Sequence, residues 1–381
     1  MVGTPVQRFL WLLVIGTMLV FVLLPSSVGA TPDQKPVSHS IRAGCGPRWH
    51  HVSSPSPGTN NSLEGVSGVS QDDAWAVGEA DQNSLALPWN GQIWTRATTP
   101  QTTGTLWAVH AFATDDVWAV GVGPDPTMHW DGRSWTSFST PGFDGGLFGV
   151  DGAASADVWS VGWYQDAEGY HPAILHWDGI GWAGVSSPPL AYGGELNAVD
   201  VVSDTDVWAV GFQFLSDMRT QQPLIEHWDG AEWAVSPSPT LAGSNSLSGV
   251  SGISDHNAWA VGSSDPDVFT SNTLVERWNG SAWTVVPTPN PSVSQKELTG
   301  VAAIEGGNVL AVGWFRAENG MIFPLVEQWN GQSWKDYAPE HRPGYSSFFG
   351  LGVIGSVRWA VGSYALPNPV SATLIEASCA P

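Results

Sequence analysis

Asp206-Val-Trp-Ala-Val-Gly211, followed 13 residues later by Leu224-Ile-Glu-His-Trp-Asp-Gly-Ala-Glu-Trp233, recurs in nearly the same form seven times along the 381-residue chain. Taking the second-strand residue as marker, the series is Trp75, Trp118, Trp159, Trp208, Trp259, Leu310 and Trp359, with spacings of 43, 41, 49, 51, 51 and 49 residues. A unit of this size cannot bury its own apolar face without neighbours, and units of three or four short strands at this period are propeller blades rather than helical solenoid repeats. The expected fold is therefore all-β: a seven-bladed β-propeller over residues 45–381, in one closed body rather than two or three domains.

Each unit reads as four strands. An inner strand such as Leu63-Glu-Gly-Val66 carries a small third residue where neighbouring units approach the axis. The Trp-Ala-Val-Gly strand follows, after a turn bearing Asp73, Asp116, Asp157, Asp206, Asn257 or Asn308, residue types that hydrogen-bond their own backbone. The third strand ends in Trp-Asp-Gly or Trp-Asn-Gly, as at Trp130 and Trp329, which is a strong hairpin signal. An outer strand then begins with its own Trp at 94, 135, 182, 233, 283 and 334.

The last unit ends after Thr373-Leu-Ile-Glu-Ala-Ser-Cys379 without an outer strand, and Arg48-Trp49-His-His-Val-Ser-Ser-Pro55 near the other end matches the missing piece. The N-terminal strand is expected to complete the C-terminal blade. Aligned on the fourth unit, Cys45 and Cys379 both fall on the hairpin turn at Asp229, and they are the only two cysteines. A Cys45–Cys379 disulfide is the expectation, in an oxidising compartment.

This order of an apolar strand ending in Gly, a third strand, a turn, Trp and a Pro-containing exit resembles the kelch-type repeat and the central propeller domain of galactose oxidase. One Gly stands after each second strand (Gly78, Gly121, Gly162, Gly211, Gly262, Gly313, Gly362) where the kelch pattern has two. The galactose oxidase copper site needs a Cys-crosslinked Tyr, and both cysteines here are assigned to the closure. No cofactor and no metal is expected.

Arg8, the apolar run Phe9 to Leu24 and Pro25-Ser-Ser-Val-Gly-Ala30 read as a secretory signal peptide over residues 1–30, with an uncleaved membrane anchor as the alternative. Residues 31–44 read as a disordered lead-in. The protein is expected to be secreted or held on the extracytoplasmic surface, as a monomer. Thirteen Lys and Arg against 35 Asp and Glu give a net charge of −22, which repels phosphate backbones and anionic membranes and argues against nucleic acid as partner.

His129, His176 and His227 recur one per unit, as do Glu226, Glu276, Glu327 and Glu376, and a position needed in every blade is expected to be structural. The connections that vary are second-to-third strand and unit-to-unit, and both emerge on one side of a propeller. Their aromatic and charged residues are the candidate ligand-binding set: Trp163, Tyr164, Asp166, Glu168, Phe212, Arg219, Trp314, Arg316 and Glu318, with Glu340, His341, Arg342 and Tyr345 nearby. The function expected is a non-enzymatic binding or scaffold protein recognising a protein or glycan. The alternative is a glycan-acting hydrolase or lyase using Asp166, Glu168 and Glu318.

Overall fold

The computed structural model describes residues 46–100, 104–140, 142–267, 270–290, 295–304, 306–337, 339, 345–366 and 370–379. Residues 1–45, which include the expected signal peptide, the expected lead-in and Cys45, lie outside the described residues. Those described form seven antiparallel sheets and no helix, six of them four-stranded and the first three-stranded. In the first sheet the outer strand is reduced to a Trp89–Trp94 bridge, but Thr95 and Ala97 continue the ladder with N–H bonds to Pro88 O (3.0 Å) and Ala86 O (2.9 Å). Seven consecutive inner strands contact their neighbours in order, and Asn61–Ser70 also meets Ser346–Ile354, which closes the ring of seven blades.

The closing sheet joins the two ends of the described chain. His50–His51 pairs with Val370–Cys379, itself beside Val357–Leu366 and Ser346–Ile354. Val52 N–H then bonds Ile375 O at 2.8 Å, as Ser236 does to Ile225 and Val286 to Val275 in the fourth and fifth blades. The N-terminal segment is therefore an outer strand in the same register as its counterparts. Beyond it Ser54 and Ser56 hold the Thr373 hydroxyl at 2.7 and 3.0 Å, as Thr288 holds Thr273 at 2.7 Å. Cys379, nearly buried, donates its N–H to Gly46 O at 2.9 Å, and no described cysteine is free.

Tryptophan explains the spacing between blades. Trp208 is 1% exposed and is met by Trp278 and Trp283 of the next blade with centroids 5.2 Å away in both cases. Four further seams, at Trp75, Trp118, Trp159 and Trp259, repeat this triad, and Trp359 closes the ring on Trp89 and Trp94, each at 5.2 Å. In the sixth blade Leu310 takes the marker place, and the N-terminal Trp49 packs on that seam. Such interlocking rings bury apolar surface at the six seams that carry them, which stabilises the joints between blades.

The inner strands carry a feature that accounts for the single glycine. Each one skips a residue in its pairing with the second strand: Leu63 pairs Gly78 and Gly65 pairs Val77, so Glu64 bulges out. Trp107, Phe148, Asn197, Ser248, Thr299 and Phe349 bulge at the same place in the other blades. Opposite the bulge a carbonyl approaches so closely that a Cβ on Gly211 would lie 2.0 Å from Glu195 O, and one on Gly78 2.1 Å from Ser62 O. Only glycine fits there. A second glycine is not required by this geometry, in contrast to the kelch pattern.

Side chains also fasten inner strand to inner strand. Ser67, Asp151, Asp200 and Ser251, at equivalent positions, accept N–H bonds of 3.2, 2.7, 2.9 and 3.2 Å from the next blade. His110 occupies this position in the second blade and pairs with Asp151 at 2.5 Å.

Candidate functional site

The two sides of the ring are built differently. On one side lie the hairpin turns, in which Asn90, Asp131, Asp178, Asp229, Asn279 and Asn330 each accept two backbone N–H bonds, followed by Gly with φ between 85° and 92°. These turns are nearly identical in all six blades that have them. On the other side lie the connections of varying length, and this loop face holds the candidate residues.

Trp163, Phe212 and Trp314 share one position, the first after the second-strand Gly, and each faces a third-strand proline: Pro172, Pro223 and Pro324. Their environments nonetheless differ. Trp163 is partly exposed and stacks on Tyr170 at 5.1 Å, and Tyr164 stacks on His171 at the same distance. Phe212 is only 4% exposed and packs edge-on against Phe214 at 5.1 Å. The expectation that Phe212 is a rim residue is therefore corrected: it is core, because Phe214, two residues on, takes the outward place. Trp314 is partly exposed, and its indole donates to Glu297, which burial and the charge of Asp265 push up to about 7.

Between the third and fourth blades the structure assembles a group that sequence reasoning did not single out. The Tyr170 hydroxyl donates to the Glu195 carboxylate, and Tyr170 also lies 6.2 Å from Phe214. Burial pushes Glu195 up to about 7, and burial together with the Glu195 carboxylate pushes the Tyr170 hydroxyl up as well. Beside this seam Phe214 N–H bonds Gly193 O at 3.0 Å, bringing the 212–220 loop against the preceding connection. Tyr192 on that connection and Leu215 and Met218 on the 212–220 loop are exposed by 45, 41 and 58%. Arg219 is exposed on the same loop, which is held by Asp217 accepting from the N–H groups of Arg219 and Thr220.

The candidate acids do not converge. Asp166 and Glu168 are exposed on the third blade and Glu318 on the sixth. Asp166 accepts from Glu168 N–H at 2.7 Å, Gly169 N–H at 3.1 Å and His171 at 3.1 Å, and these backbone donors hold its carboxyl below the usual range. Its oxygens serve its own loop. Arg316 lies partly buried beside Glu318, Tyr345 is 42% exposed, and Glu340, His341 and Arg342 lie outside the described residues. A cavity of about 340 Å³ opens on this face between the fourth, fifth and sixth blades, lined by Thr220, Ser244, Asp265, Asp267, Ser271 and Gln295 among others.

The repeated His and Glu residues have structural positions. His129, His176 and His227 each bond an Asp of the second strand (Asp116, Asp157, Asp206) at 2.7 Å and lie over the marker Trp at 4.7, 4.3 and 4.1 Å. Those aspartates thus reach across to the third strand as well as shaping a turn. Glu226, Glu276, Glu327 and Glu376 are fully buried, one on each of four successive blades. Glu226 and Glu276 accept from Ser187 and Ser238 of the preceding exit segment, both at 2.8 Å. Among the described residues no group of three or more His, Cys, Asp or Glu has the geometry to hold a metal.

With this geometry in place, solved structures supply the comparison. The WD40 propeller domain of Doa1 superposes with a TM-score of 0.57 at 12% identity, covering 87% of this chain and 97% of that one. The structure of U3-55K gives 0.59 at 11% identity, over 87 and 99%. The GH74 xyloglucanase from Xanthomonas campestris gives 0.57 at 15% identity, over 86% of this chain but 55% of the enzyme. The likeness is one of fold alone. No protein-family model matches the chain and no curated protein does, so the kelch-type resemblance reduces to the shared propeller architecture.

Proposed function

We propose that this chain is an exported, non-enzymatic propeller that binds a protein or glycan partner through its loop face, acting as a monomeric scaffold outside the cytoplasm. The observation that carries the reading is where the fourth blade's loop meets the preceding connection: Leu215 and Met218 on the loop and Tyr192 on the connection stand exposed next to the Trp163–Tyr170–Phe214 seam. Contiguous apolar and aromatic side chains beside a few charges are what recognition of a partner requires. The opposite face offers single exposed apolar residues on separate turns, such as Ile93 and Ile180. The −22 net charge keeps such a Trp-rich body soluble and disfavours nucleic acid.

The hydrolase alternative has the xyloglucanase's fold likeness in its favour, but its acids do not face one another across the ring: Asp166 and Glu168 share one exposed loop of the third blade, where Asp166 accepts from Glu168 N–H, and Glu318 is on the sixth blade. Arrays of glycans and of extracellular proteins, probed with the purified chain and with a Leu215→Ser/Met218→Ser variant, test the binding reading. A binder lost in the variant at unchanged melting temperature is the expected result. Binding unaffected by the variant, or turnover of an arrayed glycan, would overturn it.

A further inference from the structure

The seven bulged residues mark the inner wall of the ring. Each inner strand is covered outward by its second strand and flanked by two other inner strands, so the partial exposure of these side chains opens onto the axial channel. They divide into two arcs. Asn197, Ser248 and Thr299 are engaged: Asn197 Nδ2 donates to Leu247 O at 2.8 Å and the Thr299 hydroxyl to Phe348 O at 3.1 Å. The other arc runs through four consecutive blades as Phe349, Glu64, Trp107 and Phe148.

In this second arc Trp107 meets Phe148 edge-on at 5.6 Å, and a carboxyl stands between Phe349 and Trp107 in ring order. Glu64 Oε1 accepts from the Ser62 hydroxyl at 2.6 Å, and Glu79 on the adjoining strand adds a second negative charge nearby. None of the seven bulged residues is Lys or Arg. We propose that this arc is a binding site for a protonated aliphatic amine, either a lysine side chain presented by a partner or a free alkylammonium, entering by the loop-face mouth. Above about pH 7, to which burial raises its titration, the Glu64 carboxylate supplies the counter-charge and the aromatic rings supply cation–π attraction, each favouring a cation over a neutral group. Glu64 is the fourth of ten residues in Asn61–Ser70, in the half nearer the loops, so the inference rests on that face being the binding side.

The test is a ligand-observed NMR titration of the intact chain at pH 8, above the value of about 7 to which Glu64 is raised, with Nα-acetyl-lysine methylamide, n-butylammonium and the neutral Nα-acetyl-norleucine methylamide, which lacks only the ammonium group. Both cations should bind and the norleucine derivative should be weaker by about tenfold or more, the size expected for losing a charge-assisted contact. Glu64→Gln and Trp107→Leu should each weaken the cations to a similar degree. Should Glu64→Gln fail to fold, Glu64→Asp, which keeps the charge but withdraws it, takes its place. Tighter binding of the lysine derivative than of butylammonium points to a polypeptide source, and the reverse to a small amine. Equal binding of norleucine, or cation binding that survives both substitutions, overturns the proposal. That result would leave the loop-face reading intact if the Leu215→Ser/Met218→Ser variant still loses its partner.

Discussion

Replacing Glu226 by Gln should stabilise the protein at high pH and do little at low pH. The side chain is fully buried in Gln221–Trp228; Ser187 serves Oε1, and Oε2 is buried without a partner. Burial pushes this carboxyl from its ordinary 4.5 up to about 7, so the folded protein holds a proton that the unfolded chain releases. The associated stability is fully present below about 4.5 and is lost as pH rises through about 7. At about 1.4 kcal/mol per unit the full shift corresponds to roughly 3 kcal/mol, which local relaxation reduces to somewhere around 1–3 kcal/mol. Urea denaturation of the wild type and the variant at pH 4.5 and 8.5 reads this directly. Near-equality at the lower pH and a gain of about 1–3 kcal/mol at the higher is expected. A gain of the same size at both pH values, or a loss at 8.5, would refute the reasoning. Glu64, Glu195, Glu276 and Glu297 are likewise pushed up to about 7 and Glu327 to about 8, so wild-type stability should decline from pH 5 towards pH 8.

Three further outcomes follow from the packing. Trp208→Leu, which copies the native Leu310 into a seam still holding Trp278 and Trp283, should cost about 2–4 kcal/mol by leaving a void, measured as a lowered melting temperature; no change would remove the triads from the account. Gly211→Ala should destabilise by several kcal/mol because its Cβ would meet Glu195 O at 2.0 Å; normal expression and melting would contradict the bulge geometry. Peptide mapping without reductant should recover Cys45 and Cys379 on one linked fragment, stabilising by about 5 kcal/mol in the chain-entropy limit, and two free thiols would disprove the closure bond.

The ring was legible in the sequence because each blade needs the same marker, turn and outer Trp, and because the unit cut by the termini still carries both halves of the pattern. Trp49 and Thr373 therefore find partners equivalent to those in intact blades. The bulge was not legible, although Gly78 to Gly362 recorded it, since a strand-ending glycine reads equally well as a turn. The His–Asp pairs were hidden by loop length: Asp116 and His129 are 13 residues apart, Asp157 and His176 are 19, and Asp206 and His227 are 21. Their co-occurrence in the second to fourth blades alone is the signal that could have found them. At the loop face, Trp163 and Phe212 hold one repeat position, yet their exposure is decided by Tyr170 and Phe214, which belong to no repeat. The proposed recognition surface lies in that non-repeated part, where periodicity carries no information.

The most direct test of the central claim is hydrogen–deuterium exchange on the protein saturated with a partner recovered from the arrays. Binding through the loop face predicts slowed exchange at residues 163–171, 190–194 and 212–220, with the hairpin turns at 90–93 and 178–181 unchanged. Protection confined to those turns, with the loops exchanging as freely as before, would place the binding surface on the opposite face and contradict the account.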